Sequence, residues 1–113
     1  MSKKDDPLNL TLTEESILNA ILFRERYGLE IMKAIAEASN GKKTIGFSSL
    51  YPNLRKLEKK GFVTSRWGDE TPEENTGARR RYYQITGSGM AAVNQKQEYL
   101  TALQSLTLNT GEL

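Results

Sequence analysis

The chain has 113 residues, enough for one compact core, with 37% hydrophobic residues and a formal charge of only +2. It contains neither cysteine nor histidine, so disulfides, thiolate chemistry and the commonest acid–base and metal-binding groups are lost; no metal and no cofactor is expected. No apolar run reaches the roughly 18 residues of a membrane span, and the start Met1-Ser2-Lys3-Lys4 lacks a signal-like apolar region, so a soluble, cytoplasmic protein is expected.

Residues 1–10 read as a flexible polar arm. Thr13 followed by Glu14 and Glu15 predicts a helix start, a hydroxyl cap with acids at the positive end of the dipole. Ile17, Leu18, Ile21 and Leu22 then form an apolar stripe, with the helix ending near Glu25. A second helix is expected over about 29–38, its core side being Leu29, Met32, Ile35 and Ala36. Ser39-Asn40-Gly41 stops it, because Asn and Gly accept the left-handed conformation.

After the connector carrying Lys42 and Lys43, a third helix is expected to be capped by Ser48 or Ser49. Pro52 then falls in its first turn and Gly61 ends it. At about 100° per residue, Leu50, Leu54 and Leu57 share one stripe. Ser48, Pro52, Arg55, Lys56 and Lys59 lie opposite, so one edge seeks a core and the other carries positive charge.

Strand character over 62–67 places Val63 and Trp67 on one face, Trp67 being expected as a core anchor. Residues 68–77 read as a hairpin loop, and 79–85 as the returning strand, with Tyr83 and Ile85 on its packing face. Thr86 or Ser88 caps a long last helix to about residue 106. Its apolar positions Val93, Leu100, Leu103 and Leu106 extend beyond what a small core can cover, which predicts a homodimer seam. The expected fold is mainly α with a small β-hairpin, a winged helix-turn-helix over 11–85. A dimerisation helix and frayed tail then occupy 86–113.

A basic helix coupled to the basic run Arg79-Arg80-Arg81 reads as a device for holding double-stranded DNA. Taken alone, the lysines of the helix would be no more than a solvated face. Their place in this order of elements favours the nucleic-acid reading. In helix-turn-helix geometry the first turn reaches base edges, so Ser48, Ser49, Tyr51 and Asn53 are candidate base readers, with Tyr51 alternatively a half-buried core residue. Lys42, Lys43, Arg55, Lys56 and Lys59 would neutralise phosphates. Arg79, Arg80 and Arg81 would meet backbone or a narrow minor groove.

The spacing of Leu50-Tyr51-Pro52, Leu54, Leu57-Glu58 and Gly61 resembles the PadR-like winged-helix transcriptional regulators. So do Tyr27-Gly28-Leu29-Glu30-Ile31, Trp67, and Arg80-Arg81-Tyr82-Tyr83-Gln84-Ile85-Thr86 leading to Gly89. The resemblance spans about residues 12–106. It implies a repressor that binds an inverted-repeat operator as a homodimer, its two copies joined through one C-terminal dimerisation helix each. Within that family the chain is similar to a small group of bacterial circadian-clock period extenders. Two departures stand out: the family usually has Gly where Ser48 stands, and the wing loop carries Asp69, Glu70, Glu73 and Glu74. Either the wing tip points away from phosphate or the wing uses mainly Arg79 to Arg81.

A competing reading is a winged-helix protein-interaction module that places its basic face on an acidic partner. Catalysis would depend on the loop acids, with nothing to position a nucleophile beside them, so an enzyme is not expected. No pocket for a small-molecule effector is legible in the sequence.

Overall fold

The first turn of the first helix is closed by reciprocal bonds. Thr11 Oγ1 accepts from the Glu14 N–H at 3.1 Å, and Glu14 Oε1 accepts from the Thr11 N–H at 2.9 Å. This capping box starts α1 (Leu12–Ala20) at Thr11 rather than Thr13. The computed structural model describes residues 6–69 and 79–110, with side chains to Leu106. The wing-loop acids Glu70, Glu73 and Glu74 lie outside the described residues.

Helix α1 is shorter than expected, and Ile21, its C-terminal cap, is buried with Ile17 and Leu18. A two-residue strand that the sequence pattern did not suggest, β1 (Arg26–Tyr27), leads directly into α2 (Gly28–Ala38). Glu30 Oε1 accepts from the Tyr27 N–H at 3.2 Å and fixes that junction. The buried residues of α2 are Gly28, Ile31 and Ile35; of the expected core side Ile35 is buried and Met32 packs against the core, but Leu29 is 39% exposed and Ile31 is buried instead. At its end Asn40 is left-handed (φ 54°), the Gly41 N–H reaches the Ala36 carbonyl and the Asn40 N–H reaches Glu37.

The third helix, α3 (Phe47–Lys59), starts two to three residues earlier than expected, with Gly46 as its cap. No side chain caps it. Pro52 therefore sits in the second turn, where it has no N–H to give the Ser48 carbonyl. Gly61 (φ 80°) ends the helix as foreseen. The Phe62 N–H bonds to the Leu57 carbonyl at 3.0 Å and the Gly61 N–H to Glu58 at 3.0 Å, with Phe62 and Leu57 both buried.

Strands β2 (Val63–Trp67) and β3 (Arg81–Ile85) pair antiparallel, from Val63 opposite Ile85 to Trp67 opposite Arg81. β1 adds to the other edge of β3, giving the order β1-β3-β2. The core gathers Ile17, Leu18, Ile31, Leu50, Leu54 and Leu57 under this sheet, together with Phe62, Val63, Tyr83 and Ala92. Leu10 and Pro7 are also buried. The described end of the polar arm, residues 6–10, is thus a 3₁₀ turn packed on the domain rather than a loose segment.

The last helix, α4 (Gly87–Thr110), is seated by Thr86. The Thr86 hydroxyl donates to the Gly61 carbonyl at 2.6 Å and accepts from the Gly89 N–H at 3.0 Å. A Cβ at Gly89 would overlap the Phe62 carbonyl oxygen and come within 2.7 Å of Ile85 Cγ1. Backbone cannot yield as a side-chain tip can. Gly89→Ala is expected to lower stability by about 2 kcal/mol, readable as a reduced urea midpoint at unchanged m-value.

Lys96 ties α4 to α1, donating to the Leu10 carbonyl at 3.3 Å and pairing with Glu15 at 3.2 Å. Beyond Lys96 the helix leaves the domain, and every residue from Gln97 to Leu106 is exposed. The radius of gyration is 16.7 Å, against about 13 Å for a compact chain of this length.

Candidate nucleic-acid interface

Burial of Leu50, Leu54 and Leu57 fixes the rotation of α3 about its axis. Ser48, Ser49, Arg55, Lys56 and Lys59 are thereby left exposed on the other side. Asn53 is half-buried, and its side-chain amide already donates to the Ser49 carbonyl at 2.8 Å. Tyr51 is half-buried beside the leucine stripe. Its ring lies parallel to that of Phe47, 5.7 Å between centroids with a 10° interplanar angle. Lys60 turns inward instead, to Glu14 at 2.8 Å.

Across from α3, side chains alternate on the wing. Ser65 and Trp67 of β2 and Arg81 and Tyr83 of β3 share the face towards the helix. Arg81 Nε donates to Ser65 Oγ at 3.1 Å, and the Ser65 hydroxyl donates to Glu58 Oε2 of α3 at 3.1 Å. The Arg81 guanidinium also lies 5.0 Å from the centre of the Trp67 ring. Trp67 is 54% exposed and so is not the expected core anchor. It shares a face with buried Val63, but β2 has run past the core by its last residue. Burial pushes the Tyr83 hydroxyl pKa up, with Arg81 opposing it.

On the opposite face Arg66 pairs with Glu25 and lies 4.9 Å over Tyr82. Hydrogen bonding to Glu25 raises its pKa further. Arg80 lies 4.6 Å over Tyr27. Arg79 is exposed, with its Nε donating to the Gly68 carbonyl at 3.1 Å. The arginine run thus divides: Arg79 and Arg80 are exposed at the base of the wing, whereas Arg81 is half-buried and turned towards α3.

Between α3 and the wing lies a cleft of about 580 Å³. Its walls carry Arg55, Arg79, Arg80 and Arg81, and among the described residues that line it Glu58 is the only acid. The structure therefore brings together cations from two elements that are distant in sequence. Lys43 is elsewhere, on a broader groove between α1 and α2, where Ser39 Oγ bonds both its N–H (2.9 Å) and its carbonyl (3.1 Å). Lys42 is exposed beside it. Sequence reasoning missed Phe47, 51% exposed in the first turn of α3, because a cap placed at Ser48 or Ser49 left it in the connector.

Among the described residues no group of three or more acids could hold a metal ion, and no helix is long and apolar enough to cross a membrane. The cleft is open, cationic and aromatic-lined, suited to a polyanion with flat or apolar edges.

Residues 17–95 match the model of the transcriptional regulator PadR-like family. An uncharacterized protein from Lysinibacillus sphaericus is 35% identical over 79 residues, which cover 70% of this chain and 69% of that one. The structure of a transcriptional regulator from Clostridium thermocellum superimposes with a TM-score of 0.68 at 30% identity, covering 85% of this chain and 89% of that one. Bacillus subtilis PadR in complex with operator DNA gives a TM-score of 0.65 at 25% identity, over 75% of this chain and 47% of that longer one.

Proposed function

The chain belongs to the PadR-like family of transcriptional regulators, and from that premise we propose that it binds double-stranded operator DNA as a homodimer and represses transcription. The observation that carries this reading is the shared cleft, where Arg55 of the exposed face of α3 and the arginines of the wing line one surface. The likeness to a PadR solved with operator DNA supports it, although this chain spans about half of that protein. The family is one of regulators rather than enzymes, in keeping with a chain that has no His or Cys.

A helix of this length fits the major groove, with Ser48 and Ser49 leading. Lys56 and Lys59 then lie along one phosphate strand, and Arg79 and Arg80 reach the next. Lys42 and Lys43, in the connector between α2 and α3, supply flanking phosphate contacts, Lys43 from the groove between α1 and α2. The clock association rests on the sequence resemblance alone.

Homodimerisation is supported by α4, where Tyr99, Leu100 and Leu103 are 44%, 41% and 46% exposed and Leu106 is 60% exposed. Their spacing makes one apolar stripe on the protruding half of the helix. A second copy would cover it and place two α3 helices in two-fold relation, matching an inverted repeat. Val93 is half-buried against this chain's own core and lies at the inner end of that seam. The doubly substituted Leu100→Asp, Leu103→Asp protein is expected to sediment as a monomer. It should bind duplex roughly a hundredfold more weakly, the loss expected when avidity is removed.

The test of the function is binding of purified protein to fragmented genomic duplex at low and moderate salt, followed by mapping of the protected sites. Protected inverted repeats with steep salt dependence are expected. Absence of any binding at low salt would sink the reading.

A further inference from the structure

We infer that Phe47 is a specificity-determining residue whose ring contacts a thymine C5-methyl group in the major groove. The inference rests on the duplex-binding reading above. Phe47 is the first residue of α3, with Ser48 and Ser49 immediately after it. In helix-turn-helix geometry that turn comes closest to base edges.

Three observations set this ring apart from an incidental surface aromatic. Phe47 is 51% exposed, although the same helix buries Leu50, Leu54 and Leu57 almost completely. It is held from behind by the parallel ring of Tyr51, at 5.7 Å. Tyr51 in turn is seated on buried Gly28 at the start of α2, where a Cβ would overlap its hydroxyl oxygen and approach Cζ to 3.1 Å. The ring is thus mounted on a stack that runs back into the domain. Fixing its rotamer in advance lowers the entropic cost of a contact.

The chemistry selects the occupant. Phe47 and Tyr51 line the cationic cleft with Arg55 and Arg81, so a polyanion is drawn to the place where the ring is presented. Phosphates and sugars give a phenyl ring little to hold. In the major groove the apolar feature that distinguishes a base pair is the thymine methyl. The amide of Asn53 is meanwhile engaged by the Ser49 carbonyl. That bond takes one of the two amide N–H donors and sets the orientation in which Asn53 could meet adenine, whereas a methyl contact by Phe47 requires no hydrogen-bond geometry.

The experiment selects high-affinity sites from a random duplex pool with the wild-type protein. Each thymine in the selected duplex is then replaced singly by deoxyuridine, which pairs identically but lacks the methyl. At one thymine of each half-site, wild-type affinity should fall roughly fourfold, the worth of one buried methyl. Phe47→Ala should bind the thymine and deoxyuridine duplexes equally, with the wild-type salt slope retained, and Phe47→Leu should keep part of the discrimination. Because the deoxyuridine scan is made on the unaltered protein, it does not depend on the variants folding. Duplex binding that is insensitive to every methyl, or a methyl effect as large in Phe47→Ala as in wild type, overturns the assignment alone. Failure of the wild type to bind any duplex overturns the DNA-binding reading and this assignment with it.

Discussion

Replacing Glu14 by glutamine should cost the fold about 3 kcal/mol at neutral pH, the toll of leaving one member of a buried ion pair alone. Glu14 is 4% exposed and the side chain of Lys60 15%. Glutamine keeps an oxygen for the Thr11 N–H, so the variant removes the charge while sparing the cap. Burial by itself would raise the Glu14 pKa. Hydrogen bonds from Lys60 and Thr11, with the Lys60 charge, outweigh burial and hold it below its ordinary value. A depressed carboxyl pKa contributes stability that is complete above the unfolded-state value and is lost as pH falls through the folded-state value. Urea unfolding of wild type and Glu14→Gln should therefore differ fully at neutral pH and converge in acid. A constant gap down to strongly acidic pH would refute the ion-pair account. Replacing both partners, Glu14→Leu with Lys60→Met, should recover much of the loss, since an apolar pair avoids the desolvation of two charges. The pair has a functional bearing, because Lys60 closes the C-terminal end of α3. It pins the recognition helix to the first turn of α1, while Glu15 in that same turn holds Lys96 of α4.

The leucine stripe of α3, the Gly61 stop, the two-strand wing and the long last helix were legible because each rests on local periodicity or on one residue's backbone preference. Starts of helices were harder. Thr11 and Thr13 both precede acids, and only the three-residue spacing from Thr11 to Glu14 closes both bonds of the capping box. At α3 the serines suggested side-chain caps, yet Gly46 precedes the helix with none, and that shift brought Phe47 into the first turn. Trp67 shows a different limit: alternation assigns the face of a strand, not how far the core extends beneath it. β1 has two residues and pairs only with a distant strand, so nothing local marks it. The division of the arginine run was equally hidden. It depends on Ser65 and Glu58, which lie 16 and 23 positions before Arg81 in the chain.

That division predicts two kinds of arginine. Arg79→Ala combined with Arg80→Ala should remove two phosphate contacts per subunit. At roughly 0.9 per contact, the log–log salt slope of a dimer would flatten by about 3.6, and affinity would fall on the order of a thousandfold near 0.1 M salt. Restoring charge with Arg79→Lys and Arg80→Lys should recover most of the slope, since counterion release responds to charge more than to planar geometry. Arg81→Ala should behave otherwise. Its guanidinium is turned to Ser65 and Trp67, and through Ser65 to Glu58. It therefore acts as a positioning residue that sets the wing against α3. Its loss should weaken binding roughly tenfold while leaving the salt slope nearly unchanged. Ser65→Ala, which breaks the same link without touching any charge, should reproduce that pattern in milder form. Titrations of the four variants against one selected duplex at several salt concentrations separate the two roles. A slope that flattens as much for Arg81→Ala as for each of its neighbours would place Arg81 on phosphate and refute its role in setting the wing.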